Sequence, residues 1–403
     1  MEIIVKKFGG SSVANAQRVI NVANRVVDDY KLGKAVVVVV SAQGDTTDDF
    51  LEKAAEINEN PSRREMDVLL SAGEQISMSL LAMAIEKLGC PVISLTGWQA
   101  GFATDSKYGM ARIKSINTDR IKRELELKHI VIVAGFQGIN KYEDITTLGR
   151  GGSDTSAVAL AAALNAEVCE IFTDVDGVYT ADPRIVKDAK KLNEISYDEM
   201  LELASLGANV LHNRSVELAL KYGVKIEVKS SFEKVDGTIV KEVSKVEKML
   251  VRGVTRDNDI ARVSLVNIEN TPGKAFKVFS LLAGKNINVD VILQSIGRKD
   301  TKDITFSVSK AHLQPTLDVL NENLQALGAT DILFDKDVSK VSIVGAGMVS
   351  NAGVAATMFE ALYDAHINIH MISTSEIKVS VIIDEKDAET AVRVIHDKFK
   401  LAI

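Results

Sequence analysis

The chain has 403 residues, too many for one compact core, so at least two domains are expected. Its 46% hydrophobic and 26% charged residues exclude a wholly disordered protein. A net charge of −7 with no basic block argues against nucleic acid or an acidic membrane surface as a partner.

The opening MEIIVKKFGG has too few apolar residues for a signal peptide and reads as a first strand. The two cysteines, Cys90 and Cys169, form no CxxC and no paired framework, which fits a reducing compartment and a cytoplasmic protein. Up to residue 230, short β-branched runs at Glu2–Phe8, Ala35–Ser41, Pro91–Leu95, His129–Phe136, Val168–Thr173 and Val224–Lys229 predict buried parallel strands. Helical patterns at Ala14–Tyr30, Ser62–Leu88, Asp119–Leu127, Asp154–Leu164 and Tyr197–Leu206 lie between them. Such alternation predicts an α/β fold, an open and mostly parallel sheet sandwiched by helices. Ligands bind such sheets beyond the carboxyl ends of the strands, where this chain places its glycine-rich and polar segments.

A polar stretch, 231–248, is expected as a linker after a domain spanning 1–230. Beyond it a βαββα pattern occurs twice, with AGKNINVDVILQS at Ala283–Ser295 echoed by DAHINIHMISTS at Asp364–Ser375. The expected modules are 249–335 and 336–403. The segment Val341–Ser350 imitates a dinucleotide fingerprint, but Ser350 stands in place of its third glycine and too little chain follows for a nucleotide domain.

Three segments carry chemistry. Lys6-Lys7-Phe8-Gly9-Gly10-Ser11-Ser12 joins the first strand to a helix, so backbone amides and a lysine can meet an anion there. Thr147–Thr155 (TLGRGGSDT) opens another helix with three glycines, two hydroxyl groups near Arg150, and Asp154; Arg150 suits bidentate capture of a carboxylate. Phe172–Arg184 (FTDVDGVYTADPR) leaves a strand with the polarity suited to gripping a nucleotide.

Together these segments resemble the amino-acid kinase superfamily, and within it the aspartate kinases. SAQGDTT at Ser41–Thr47, LLSAGEQIS at Leu69–Ser77 and GFQG at Gly135–Gly138 fall in the family's order, and the repeat resembles a pair of ferredoxin-like βαββαβ ACT modules. The resemblance implies transfer of phosphate from ATP with Mg²⁺ to the side chain of L-aspartate, a first step towards lysine, threonine and methionine. Lys7 and Asp154 would be catalytic, and Ser41, Thr47, Glu74, Arg150 and Ser153 would bind aspartate. Gly9, Gly10, Thr173, Asp174, Tyr179, Asp182 and Arg184 would join Lys7 at the nucleotide. No dedicated metal site is expected. In the first module Asn270, Gly273, Asn288, Asp290 and Gln294 would bind an effector, lysine or threonine or both. A homo-oligomer, or a complex with a separate regulatory chain that Met249 could start, is implied. Two departures stand out. Asn209 replaces a lysine that helps bind nucleotide in some relatives, with Lys225 or Lys229 as stand-ins, and Asn270 replaces a frequent aspartate. A sister kinase acting on glutamate, acetylglutamate, carbamate or UMP, and a catalytically dead amino-acid sensor, remain alternatives at this stage.

Overall fold

Every residue of β2 (Ala35–Val40) is buried, because a strand at the centre of a sheet covered on both faces has no side for polar groups. The computed structural model describes residues 2–207, 210–242, 250–295, 300–346, 348, 351 and 353–402. They form two units, one of residues up to 178, 191–204 and 209–245, the other of 179–190, 205–208 and 246 onwards.

In the first unit β1 (Ile3–Phe8) leads into α1 (Ala16–Lys31), then β2, α2 (Thr46–Ile57) and α3 (Arg63–Lys87). β3 (Val92–Leu95), β4 (Phe102–Thr104), β5 (Ile113–Ile116), α4 (Asp119–Glu126), β6 (Ile130–Ala134), β7 (Gln137–Ile139) and β8 (Ile145–Thr147) follow. α5 (Gly152–Leu164), β9 (Val168–Thr173), β10 (Glu194–Ser196), α6 (Tyr197–Ser205), α7 (Asn213–Tyr222), β11 (Ile226–Ser230) and β12 (Thr238–Lys241) complete it. The main sheet has the order β10-β12-β11-β9-β1-β2-β6-β3, parallel except where β12 runs against β11. Its core interleaves Ile4, Phe8, Val36, Val38 and Ile132 with Val22, Val26, Leu81 and Ile85 of α1 and α3. By length and composition α3 could cross a membrane, yet its buried face carries Asp67, Ser71, Glu74 and Ser77.

Two features depart from expectation. β12 lies inside the stretch expected as a linker, where Thr238 and Val240 alternate inward against the sheet. A small second sheet, β5-β4-β7-β8, arises from strands of three or four residues, too short to show a period in the sequence.

The second unit contains β13 (Gly253–Asp257), β14 (Ala261–Glu269), α8 (Lys274–Gly284), β15 (Ile292–Gln294), β16 (Thr301–Val308), α9 (Leu313–Glu322), α10 (Leu324–Leu327) and β17 (Asp331–Asp335). β18 (Val338–Val344), α11 (Val354–Asp364), β19 (Met371–Thr374), β20 (Lys378–Asp384) and α12 (Ala388–Lys398) end it. Its sheets have the orders β15-β16-β14-β17 and β13-β18-β20-β19; the first repeat is a βαββαβ module, and the second is βαββα in chain order with β13 as its fourth strand. β13 precedes the first module in the chain but pairs with β18, Gly253 opposite Val344 and Asp257 opposite Lys340. Ala181, Ile185 and Val186 join the core of that second module. The imitation fingerprint follows β18, and its Gly347, Val349 and Ser350 lie outside the described residues, as do Asn209 and Met249.

Candidate active site

Successive side chains of a strand point to opposite faces, and β1 uses this to separate two lysines. Lys6 turns into ion pairs with Asp29 and Glu170. Lys7 reaches Asp154 at 2.6 Å, each side chain mostly buried. Asp154 stands in the first turn of α5, where the helix dipole favours a carboxylate. Gly10 lies so close to the next loop that a methyl group there would sit 2.7 Å from the Ala42 carbonyl oxygen. The carbonyl of Gly10 in turn accepts from the amide of Gly44.

The two glycine loops and α3 enclose a cleft of about 310 Å³. Lys7, Gly10, Ser41, Thr47, Glu74, Arg150, Ser153 and Asp154 all line it, so the residues expected to act on aspartate come together from four separate segments. Glu74 is 4% exposed. One of its oxygens accepts from the amide of Ala42 at 3.1 Å, and the other, Oε2, has no hydrogen-bond partner among the described residues. Burial pushes its pKa up to about 7, against the pull of that amide. Arg150 is exposed at the rim, between Gly149 (φ 79°) and Gly151 (φ 65°). At Gly151 a side chain would be strained twice over, since its Cβ would also overlap the His212 ring.

The remaining nucleotide residues divide. Thr173 ends β9 and Asp174 follows it, the hydroxyl of Thr173 donating to Asp174 at 3.0 Å. Tyr179, Asp182 and Arg184 belong to the second unit. There Arg184 forks onto Asp182 through Nε and Nη2 and holds that carboxyl below the usual range. Of the suggested stand-ins for Asn209, Lys229 is engaged by Glu170 at 3.1 Å and Glu227 at 3.3 Å.

At the expected effector site Gly273 caps α8, the amide of Asn270 donates to the Asp300 carbonyl, and Asn288 and Gln294 are exposed. Around these residues regular strand pairing covers Ile292–Gln294. Asp290, expected to take an ammonium group, is ion-paired with Lys340 of the second module.

Sequence reasoning missed three residues around the cleft. Phe136, inside the noted GFQG, lines it with a positive φ of 67°. Asp67 and Arg214 hold its walls from outside. For Asp67 a signal existed: it precedes Glu74 by two helical turns on the same buried face of α3.

The model of the amino acid kinase family matches residues 2–230, and that of the ACT domain matches 341–399. The aspartokinase of Geobacillus stearothermophilus is 53% identical over 403 residues, spanning 100% of this chain and 98% of that protein. The aspartokinase of Corynebacterium glutamicum is 50% identical over 408 residues, with 100% and 97% covered. Among solved structures, E. coli aspartokinase III in complex with aspartate and ADP, an R-state, aligns with a TM-score of 0.82 at 26% identity over 98% of this chain and 99% of that one. The same enzyme in complex with lysine and aspartate, a T-state, aligns with a TM-score of 0.78 at 25% identity, over 99% of this chain and 100% of that one. With a whole-chain likeness of this kind, a kinase-type first unit and paired regulatory modules behind it, the chain belongs to the aspartokinases of the amino acid kinase family.

Proposed function

We infer that the chain transfers the γ-phosphoryl group of ATP to the side-chain carboxylate of L-aspartate, giving 4-phospho-L-aspartate and ADP. The observation that carries the roles is one cleft that holds Glu74, a buried acid with an oxygen unpartnered among the described residues, Arg150, an arginine with no acidic partner among them, and the Lys7–Asp154 pair. Glu74 takes the substrate ammonium. Arg150 takes the α-carboxylate, with Ser41, Thr47 and Ser153 at hydrogen-bonding positions along the wall. The nucleophile needs no general base, because an aspartate side chain has an unperturbed pKa of about 3.9. One of its oxygens forms the new P–O bond in line as the bond to the ADP oxygen breaks. Lys7 stabilises the negative charge gathered between two anions, and Asp154 holds Lys7 in place.

Thr173 and Asp174, with the amides of Gly9 and Gly10, are the nucleotide contacts this reading takes from the first unit. Tyr179, Asp182 and Arg184 stay nucleotide candidates on the resemblance alone. Among the described residues no group of three His, Cys, Asp or Glu could hold a metal. Mg²⁺ would be carried in on the ATP phosphates, since this ion keeps its waters and takes only one or two carboxylates. Asp154 is the residue that would meet it, and the bound ion neutralises phosphate charge. Two free, buried thiols agree with a reducing cytoplasm.

Arg150→Ala should raise the aspartate KM roughly 10- to 100-fold, the worth of a charge-assisted bond pair, while leaving the ATP KM nearly unchanged. Steady-state kinetics with each substrate varied in turn checks this, and an ATP KM that rises with the aspartate KM held would reverse the assignment.

Regulation belongs to the second unit. Lysine, threonine or both bind at the Gly273 turn of the first module, near Gln294, and inhibit by favouring one global state. An effector ammonium arriving at Asp290 competes with Lys340. Exposed Ile292 and Leu293 on edge strand β15, and Leu333 and Phe334 on edge strand β17, support association of the chain with a second copy or a regulatory chain. Gln294→Ala should relieve inhibition and leave uninhibited turnover as it is. Inhibition curves with each amino acid alone and together are the measurement, and unchanged curves would remove Gln294 from the effector site.

A further inference from the structure

Asp67 is 1% exposed and spends its whole carboxylate on backbone and hydroxyl donors from two loops. Both oxygens accept from the amide of Gly109 at 2.9 Å. Oδ2 accepts from the amide of Thr147 at 3.0 Å, and Oδ1 from the Thr147 hydroxyl at 2.7 Å. Arg214, on α7, grips the same two loops through their carbonyl oxygens: Nη1 donates to Leu148 and Nη2 to Ala111, each at 2.8 Å. The amide of Ala111 donates to the Thr147 carbonyl, tying the loops to each other between the two clamps. The amide of Leu148 donates to Phe136 on the cleft wall. Only Gly149, Arg150 and Gly151 then separate the clamped chain from the start of α5.

We propose that Asp67 and Arg214 are positioning residues that fix the Arg150 loop for the substrate carboxylate. The inference rests on the reading of Arg150 as that anchor. The physical argument is conformational. Two of the three bridging residues are glycines with positive φ, the least restrained backbone the chain can use. Arg150 itself makes no ion pair among the described residues, so its placement depends on what holds residues 147 and 148. An anionic acceptor at Asp67 receives three donors at once, the Gly109 N–H shared between both oxygens. An asparagine has one acceptor oxygen in place of two, and whichever way its amide turns, its nitrogen takes a place that accepts from the Gly109 N–H.

Asp67→Asn in the full chain should raise the aspartate KM roughly ten- to a hundredfold, the effect of an ångström-scale misplacement, with the ATP KM nearly unchanged. Added to Arg150→Ala, the same substitution should raise the aspartate KM little further, since residues acting through one another are not additive. Thr147→Val, which removes one donor and keeps the shape, should show the same split in milder form and carries the test if Asp67→Asn does not fold. Independent, multiplying effects in the double variant would overturn the inference, as would an equal rise in both KM values. An unchanged aspartate KM in Arg150→Ala alone would instead remove the anchor reading beneath it.

Discussion

Lys7→Ala should fold like the parent and lose turnover by roughly 10²- to 10³-fold, about 3–4 kcal/mol of transition-state stabilisation. The fold is expected to survive because β1 is held by parallel pairing to β2 and β9 on both sides and by the buried Ile4, Val5 and Phe8. Among the described residues the only ion pair Lys7 makes is with Asp154, and the first turn of α5 tolerates that carboxylate alone. The loss is large because the reaction brings a carboxylate to a polyphosphate. A cation preorganised beside the glycine loop counters that repulsion without rearranging at the moment of transfer. Turnover at saturating ATP and aspartate, with thermal unfolding as the control for folding, is the measurement. Turnover near that of the parent would take Lys7 out of the chemistry.

A second expected result concerns pH and Glu74. With a pKa raised by burial to about 7, the free enzyme carries a mixture of ionised and neutral Glu74 near neutrality. Only the ionised form attracts an ammonium group, so kcat/KM for aspartate should fall as pH drops below about 7, approaching tenfold per pH unit. Glu74→Gln should flatten that dependence and raise the aspartate KM roughly 10- to 100-fold. Stability should move the opposite way. A carboxyl whose folded pKa lies above its unfolded value stabilises the fold fully below the unfolded pKa, and that contribution is lost as pH rises through the folded value. A shift from 4.5 to about 7 corresponds to about 3 kcal/mol of destabilisation once Glu74 is ionised. Glu74→Gln should therefore unfold at a higher temperature than the parent at pH 8, with the gap closing towards pH 4.5. Aspartate should stabilise the parent and leave the variant nearly unmoved. A variant less stable than the parent at pH 8, or an aspartate KM that ignores pH between 6 and 8, would mean that Glu74 is not the ammonium site.

The long apolar runs of the main sheet were legible in the sequence because a doubly covered strand must be apolar throughout. The cleft was legible because its loops follow those strands at their carboxyl ends. The clamp was not, because Asp67 and Arg214 act on backbone groups of residues 109, 111, 147 and 148, and such partners leave no pattern in side-chain chemistry. The pairing of Asp290 with Lys340 escaped for a related reason: the two residues meet through tertiary packing between modules. Tyr179, Asp182 and Arg184 read as one nucleotide segment with Thr173 because they are contiguous. Apolar Ala181, Ile185 and Val186, spaced to bury one side of that segment, draw it into the core of the second unit.

The pairing of β13 with β18 has a consequence for how such a chain can change over generations. Asp257 and Lys340 face each other across an antiparallel ladder, so everything between Asp257 and Val338 is, topologically, one oversized hairpin loop. That loop is a complete sheet-and-helix module with its own apolar interior. Its first and last strands, β14 and β17, are antiparallel neighbours with Arg262 opposite Asp335, so the chain enters and leaves it at one end of the sheet. An insertion of this kind can be exchanged, duplicated or altered while the host ladder keeps its register. By the same logic, a fragment beginning after Asp257 would strip an edge strand from the host and leave β18 bare, whereas one beginning before Gly253 keeps both sheets whole.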